Sequence, residues 1–138
     1  MHTELSDDEL AFLRGVLDLA RQGRAAELAD VIERGVPVNL SSGSGDTLLI
    51  LAAYHDHPAT VRMLLAHGAD PDRVDDRGQT ALGAAVFRRS AESVGLLLEH
   101  GADPHAGARS AVQIAEFFDL PEMAALVRGE AQPTGGVP

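Results

Sequence analysis

The chain has 138 residues, 45% hydrophobic and only 4% aromatic, with a formal charge of −10 from 21 acidic and 11 basic side chains. That length suits one domain with a sizeable core, and the apolar content excludes an intrinsically disordered chain. The acidic balance repels phosphate backbones and argues against a nucleic-acid partner, while the lack of cysteine removes any disulfide framework or thiolate metal site.

The first ten residues, MHTELSDDEL, carry neither a basic n-region nor an apolar h-region, which argues against secretion and makes the cytoplasm the expected compartment. SDDE (6–9) has the form of a capping box ahead of the apolar stripe Leu10, Leu13 and Leu17, so a helix is expected to start here. SSGSG (41–45) is turn-rich. Thr47 then caps an apolar helix LLILAAY (48–54), a turn follows at His55–His57, and Pro58 opens a second helix at the position where its missing N–H costs nothing. That helix, ATVRMLLAH, stops at Gly68, a residue suited to the left-handed position after a helix end. The next stretch, DPDRVDDRG (70–78), is again turn-rich and of a length for a projecting hairpin. The longest apolar run, 48–54, is far too short to cross a bilayer, so no membrane role is expected.

The same elements recur. LLAHGADPD (64–72) matches LLEHGADPH (97–105) almost letter for letter, with Gly68 and Gly101 separated by 33 residues. Aligned at that step, 45–72 and 78–105 share 12 identities in 28 positions, and one step upstream lands on Gly35. Downstream the register holds after three residues are lost within PHAGAR (104–109): Ser110 replaces Thr80, Leu126 replaces Leu96, and Pro121 repeats Pro58. Four helix-turn-helix units are expected, about 5–40, 41–73, 74–106 and 107–128, in one domain of residues 1–128 with a flexible tail at 129–138. Few aromatics among many Leu, Ala, Val and Ile suit thin, closely packed helices.

GDTLLILAAYHDHPATVRMLLAHGAD and GQTALGAAVFRRSAESVGLLLEHGAD resemble the ankyrin repeat, whose pattern runs from a glycine through T-P-L-H, A-A and G-H to V-x-x-L-L-x-x-G-A-D. The resemblance implies an all-α solenoid of stacked helix pairs joined by hairpin-like loops, its outer units acting as caps. Departures are visible: the proline of T-P-L-H is Leu48 and Ala81, and its histidine is Ile50 and Gly83. Gly83 within a helix is expected to cost about 1 kcal/mol against alanine.

The register sorts the candidate site residues. His55, Asp56 and His57 look like half a metal site, but the resemblance puts His57 at the inter-helix turn and Asp56 where glycine is usual. His67 and His100 precede the helix-ending glycine, where the helix C-terminus favours partial positive charge. His2 and His105 read as isolated surface residues. Tyr54, Phe87 and Phe117 share one repeat position, occupied by Arg21 in the first unit, and His55, Arg88 and Phe118 share the next. The resemblance implies that these positions lie on the concave side and contact partners; otherwise the rings finish the core, with Phe117 and Phe118 covering the open end. Phe12 is expected to be a cap or core residue. Val74, Asp76, Arg77 and Gln79 are implied to point from one finger tip, and Ser41, Gly43, Ser44 and Asp46 from the one before. Asp56, Arg89 and Asp119 form an alternating column expected to make weak pairs.

No G-x-S-x-G, P-loop, G-x-G-x-x-G or H-E-x-x-H occurs, and SSGSG has no preceding strand or following basic residue to make a phosphate cradle. The expected function is therefore non-catalytic protein binding, without a cofactor, by a monomer whose partner carries a basic surface. Basic residues that are all arginine point to a GC-rich genome, and a small bacterial adaptor, regulator or inhibitor is the picture. Two alternatives remain: a metal- or small-ligand-binding protein using His55 and His57, and a structural piece of a longer array.

Overall fold

The computed structural model describes residues 5–129, so His2 and all but the first residue of the expected tail lie outside the described part. The described residues form eight helices in four pairs: α1 Asp7–Gln22 with α2 Ala25–Glu33, α3 Leu48–Tyr54 with α4 Pro58–Ala66, α5 Ala81–Phe87 with α6 Ala91–Glu99, and α7 Ala111–Phe117 with α8 Pro121–Val127. Each odd-numbered helix packs on the next odd one, and each even-numbered helix on the next even one, which builds two stacked rows. The result is the expected all-α solenoid.

Local chemistry sets the helix starts. Ser6 accepts from the backbone N–H of Glu9, and the Glu9 side chain accepts from Ser6 N–H, completing the capping box. Those bonds favour the charged form and hold the Glu9 carboxyl below its ordinary pKa. Thr47 and Thr80 each cap with the side-chain oxygen, at 3.0 Å from Ile50 N and Gly83 N, and Ser110 makes a second capping box with Gln113. Pro58 and Pro121 take the first helical position of α4 and α8.

The core runs continuously through the two rows. Leu48, Leu49, Ile50, Leu64, Leu82 and Leu97 are fully buried, each contributing about 1.5–3 kcal/mol by leaving water. Ala52, Ala53, Ala84 and Ala85 have no exposed surface, and their small side chains let neighbouring inner helices approach closely. Phe12 is not part of this core: it is 52% exposed on α1, whose first two turns extend beyond the length of the other inner helices. Gly83 has a packing contact that its helix propensity does not reveal. A Cβ there would lie 3.1 Å from Ile114 Cδ1 and 3.2 Å from the Arg109 carbonyl, so alanine's gain in helix propensity is opposed by crowding against the next unit.

Between the pairs the chain projects as fingers. In the second unit Ser41 pairs with Thr47, and Ser42 N–H donates to the Asp46 carbonyl at 2.9 Å. In the third, Asp75 N–H donates to the Gln79 carbonyl at 3.0 Å. Neighbouring fingers are tied together: Asp76 N–H donates to Ser44 O, and Arg109 N–H to Gly78 O, both at 3.0 Å. Gly45 and Gly78 permit this approach, because both have positive φ and a Cβ would lie 3.1 Å from Asp75 Cα and 2.7 Å from Ala108 Cβ respectively.

Candidate functional site: an aromatic groove between inner helices and fingers

The inner helices α3, α5 and α7 end in aromatic residues, and the fingers rise beside them. Tyr54 is the last residue of α3, Phe87 of α5 and Phe117 of α7. The Tyr54 and Phe87 rings lie parallel, 6.1 Å apart at 6°. The row continues through Phe118, whose ring meets Phe87 edge-on at 5.6 Å, while Phe117 meets Phe118 at 5.0 Å from the outside. Such pairs are worth about 0.5–1.5 kcal/mol each. They do not bury the rings: Tyr54, Phe87 and Phe118 are 39%, 43% and 45% exposed, and Phe117 is 82% exposed. Phe117 therefore covers little of the stack's end.

Finger residues close the groove on its other side. Arg77, Gln79 and Arg109 join Tyr54, Phe87 and Phe118 around a depression of about 220 Å³. A neighbouring depression of about 230 Å³ is lined by Arg21, Asp46, Tyr54, His55, Arg77 and Gln79. At the far end, Phe117 and Phe118 line a larger one of about 450 Å³ with Ile114 and Arg109.

The expected contact residues thus divide. Tyr54, His55, Phe87, Arg77, Gln79 and Asp46 come together in the groove. Ser44, Val74, Asp76 and Arg88 are exposed but line none of these depressions, and Phe117 stands apart at the end. Asp46 is not a free tip residue: its side chain is only 14% exposed and accepts from the Ser44 hydroxyl at 3.1 Å. Two groove residues were not among the expected contacts: Arg109 falls in the shortened loop, and Ile114 reads in sequence as ordinary helix filler. Phe118, expected either at the contact position of His55 and Arg88 or over the open end, lines the groove.

His55 and His57 separate in the same way. His57 donates from Nε2 to the Arg21 carbonyl at 2.8 Å, pinning the second unit's turn to the end of α1, and that nitrogen is not free for a metal. His55 packs edge-on against Tyr54 at 5.2 Å. Burial, then the positive neighbours His57, Arg21 and Arg88, hold its pKa below the ordinary value. Among the described residues, no group of three or more metal-donor side chains comes together. His67 donates from Nδ1 to the Met63 carbonyl at 2.9 Å and meets Glu33 of the preceding unit at 3.2 Å; these contacts raise its pKa.

The column of Asp56, Arg89 and Asp119 makes no ion pair with itself among the described residues. Its members share a backbone conformation instead, with φ of 63°, 59° and 53°, at the inter-helix turns. The register was correct, and the reason for the position is left-handed geometry rather than pairing.

Comparisons with known proteins agree with this geometry. Residues 17–108 match the family described as ankyrin repeats (3 copies). An ankyrin repeat protein of Pseudomonas aeruginosa is 43% identical over 60 residues, covering 44% of this chain and 35% of that protein. Oxysterol-binding protein-related protein 1 of Rattus norvegicus is 45% identical over 58 residues, 41% of this chain but 6% of its own length. Among solved structures, the human ASB11 ankyrin repeat domain superposes with a TM-score of 0.74 at 28% identity, covering 88% of this chain and 56% of that one. The chain's match thus spans about a third of the bacterial relative and about half of the solved domain. Ankyrin repeats generally act as protein–protein interaction modules, and their fold is typically non-enzymatic. With two thirds of its residues inside the family match and the stacked helix pairs to go with it, the chain belongs to the ankyrin repeat family.

Proposed function

We propose that this chain is a non-catalytic binding module that holds a partner protein in the groove between its inner helices and its fingers. The observation that carries the reading is the row Tyr54–Phe87–Phe118, in which Phe87 contacts the ring on either side and each ring leaves more than a third of its surface in water. Rings prepositioned by one another lose little freedom on binding, and aromatic side chains dominate interface energetics. His55, Arg77, Gln79 and Asp46 supply polar contacts around the row, with Ser44, Val74, Asp76, Arg88 and Phe117 as a wider rim. The partner presents a basic surface, which the charge of −10 attracts over distance. An adaptor, regulator or inhibitor works in this way, and the repeat domain of residues 1–128 carries the whole of the contact surface. No described helix is long and apolar enough to cross a membrane.

The test is to replace Tyr54 and Phe87 with alanine and ask whether the protein that co-purifies with the tagged chain from its native host is lost. Each ring is the exposed last residue of an otherwise buried helix, so the far-UV circular dichroism and the thermal midpoint are expected to stay close to those of the parent. Retention of the same partner by the folded double variant would refute the reading.

A further inference from the structure

Next to the rings, two neighbouring fingers bring a pair of carboxyl groups together. Asp75 is held by its own turn: Oδ1 accepts the backbone N–H groups of Arg77 and Gln79, both at 2.9 Å, and the side chain is 1% exposed. Its second oxygen, Oδ2, is buried and receives no hydrogen bond. Asp46 comes from the preceding finger, and one Arg77 guanidinium nitrogen lies 3.9 Å from Asp46 Oδ2 and 3.8 Å from Asp75 Oδ2, so the two carboxyl groups share one hollow. Burial, reinforced by Asp75, pushes the Asp46 carboxyl above its ordinary pKa. Burial alone would also raise Asp75, but the Asp46 side chain and the two backbone donors outweigh it and hold Asp75 low.

The cations nearby leave this pair incomplete. Arg77 lies between the carboxylates, 3.9 Å from Asp46 Oδ2 and 3.8 Å from Asp75 Oδ2, too far to donate a hydrogen bond to either, and its side chain is 63% exposed. Arg21, on the opposite wall, is engaged with Asp18 at 2.6 Å. Two carboxylates against one loosely placed guanidinium leave net negative charge in a partly dry hollow, where an opposite charge interacts more strongly than in water. The depression that opens on Asp46 is bounded by Tyr54, whose ring provides a π surface beside the carboxylate.

Resting on the groove as the partner-binding surface, we propose that this depression takes an arginine side chain of the partner. Its guanidinium donates to the Asp46 carboxylate, lies against the Tyr54 ring, and gains from the Asp75 charge behind. A planar fork of donors that also stacks on aromatic faces fits this combination, which a compact, strongly hydrated ammonium does not. A metal ion is the poorer match, because no third carboxylate or histidine joins the pair among the described residues.

The experiment titrates the isotopically labelled chain with N-acetyl-arginine methylamide and, separately, with the neutral citrulline counterpart of the same shape, reading backbone amide shifts by NMR. The arginine compound is expected to give saturable shifts at Asp46, Tyr54 and Gln79. Affinity is expected to fall at least ten-fold for the citrulline compound and for the Asp46→Asn and Tyr54→Ala variants, and to stay unchanged for Glu99→Gln, an exposed site at the end of α6. Absence of saturable shifts, or equal binding of the citrulline compound, overturns the proposal. Flat titrations together with a partner still lost from the Tyr54 and Phe87 double variant would sink this inference alone. Arginine binding together with partner capture indifferent to the rings would sink the broader reading alone.

Discussion

Single residues carry strain and titration that neighbours have to hold in place. Arg89 sits at φ 59°, a conformation that costs a side-chain-bearing residue about 1–2 kcal/mol and costs glycine almost nothing. Glycine gives part of that back through a freer unfolded chain, so Arg89→Gly is expected to stabilise the protein by about 0.5–1 kcal/mol in chemical denaturation. Asp56 and Asp119 are expected to gain less, since aspartate tolerates the left-handed region better. His67 gives a pH signature. Its bonds to the Met63 carbonyl and then to Glu33 raise its folded pKa above the ordinary 6.5. A raised histidine contributes its stability fully below pH 6.5 and loses it as pH rises through the folded value. The thermal midpoint of the parent should therefore fall more between pH 6 and pH 8 than that of Glu33→Gln; equal falls would remove Glu33 from the account.

At the scale of elements, the outer helices bury two hydroxyls without partners. Thr60 on α4 and Ser93 on α6 occupy the same repeat position, both fully buried, and neither Oγ makes a hydrogen bond. An orphaned buried hydroxyl is a net cost, so Thr60→Val and Ser93→Ala are expected to be neutral or stabilising by up to about 1 kcal/mol in denaturant titrations. A loss above that size would show that the hydroxyls are bonded in solution. Helix starts, caps and stops were legible in sequence because each depends on neighbours three or four positions away, as with Thr47, Ser110, Pro58 and Gly68, and the 33-residue step because whole motifs recur. What was not legible depends on contacts between units. Register put Phe117 in line with Tyr54 and Phe87, yet Phe118 completes the row, because register fixes the backbone position and not which ring a side-chain torsion carries into contact. Asp75 reads as one turn aspartate among four in 70–76, and only the packing of one finger on the next buries it against Asp46. Gly83 reads as a weak point for the same reason, since the Ile114 side chain that fills its space lies a whole unit away.

For the whole molecule, the proposed binding surface stands apart from the residues that stabilise the fold. The core is almost wholly aliphatic and lies between the two rows of helices, whereas all five aromatic residues are exposed, three of them in one row at the groove. A stack of this kind tolerates change along the groove, because each inner-helix end contributes one side chain to the surface without anchoring the core. The acidic pair at Asp46 and Asp75 would then set the chemistry of the partner, and the ring row the strength of its grip. The measurement that bears most directly on this account is the affinity of the purified native partner for the parent and for the Tyr54→Ala, Phe87→Ala double variant, by titration calorimetry. If the row forms the centre of the interface, at about 2 kcal/mol per ring, affinity falls about 1,000-fold while the fold is kept. An affinity within two-fold of the parent would contradict it and place the partner elsewhere on the repeat.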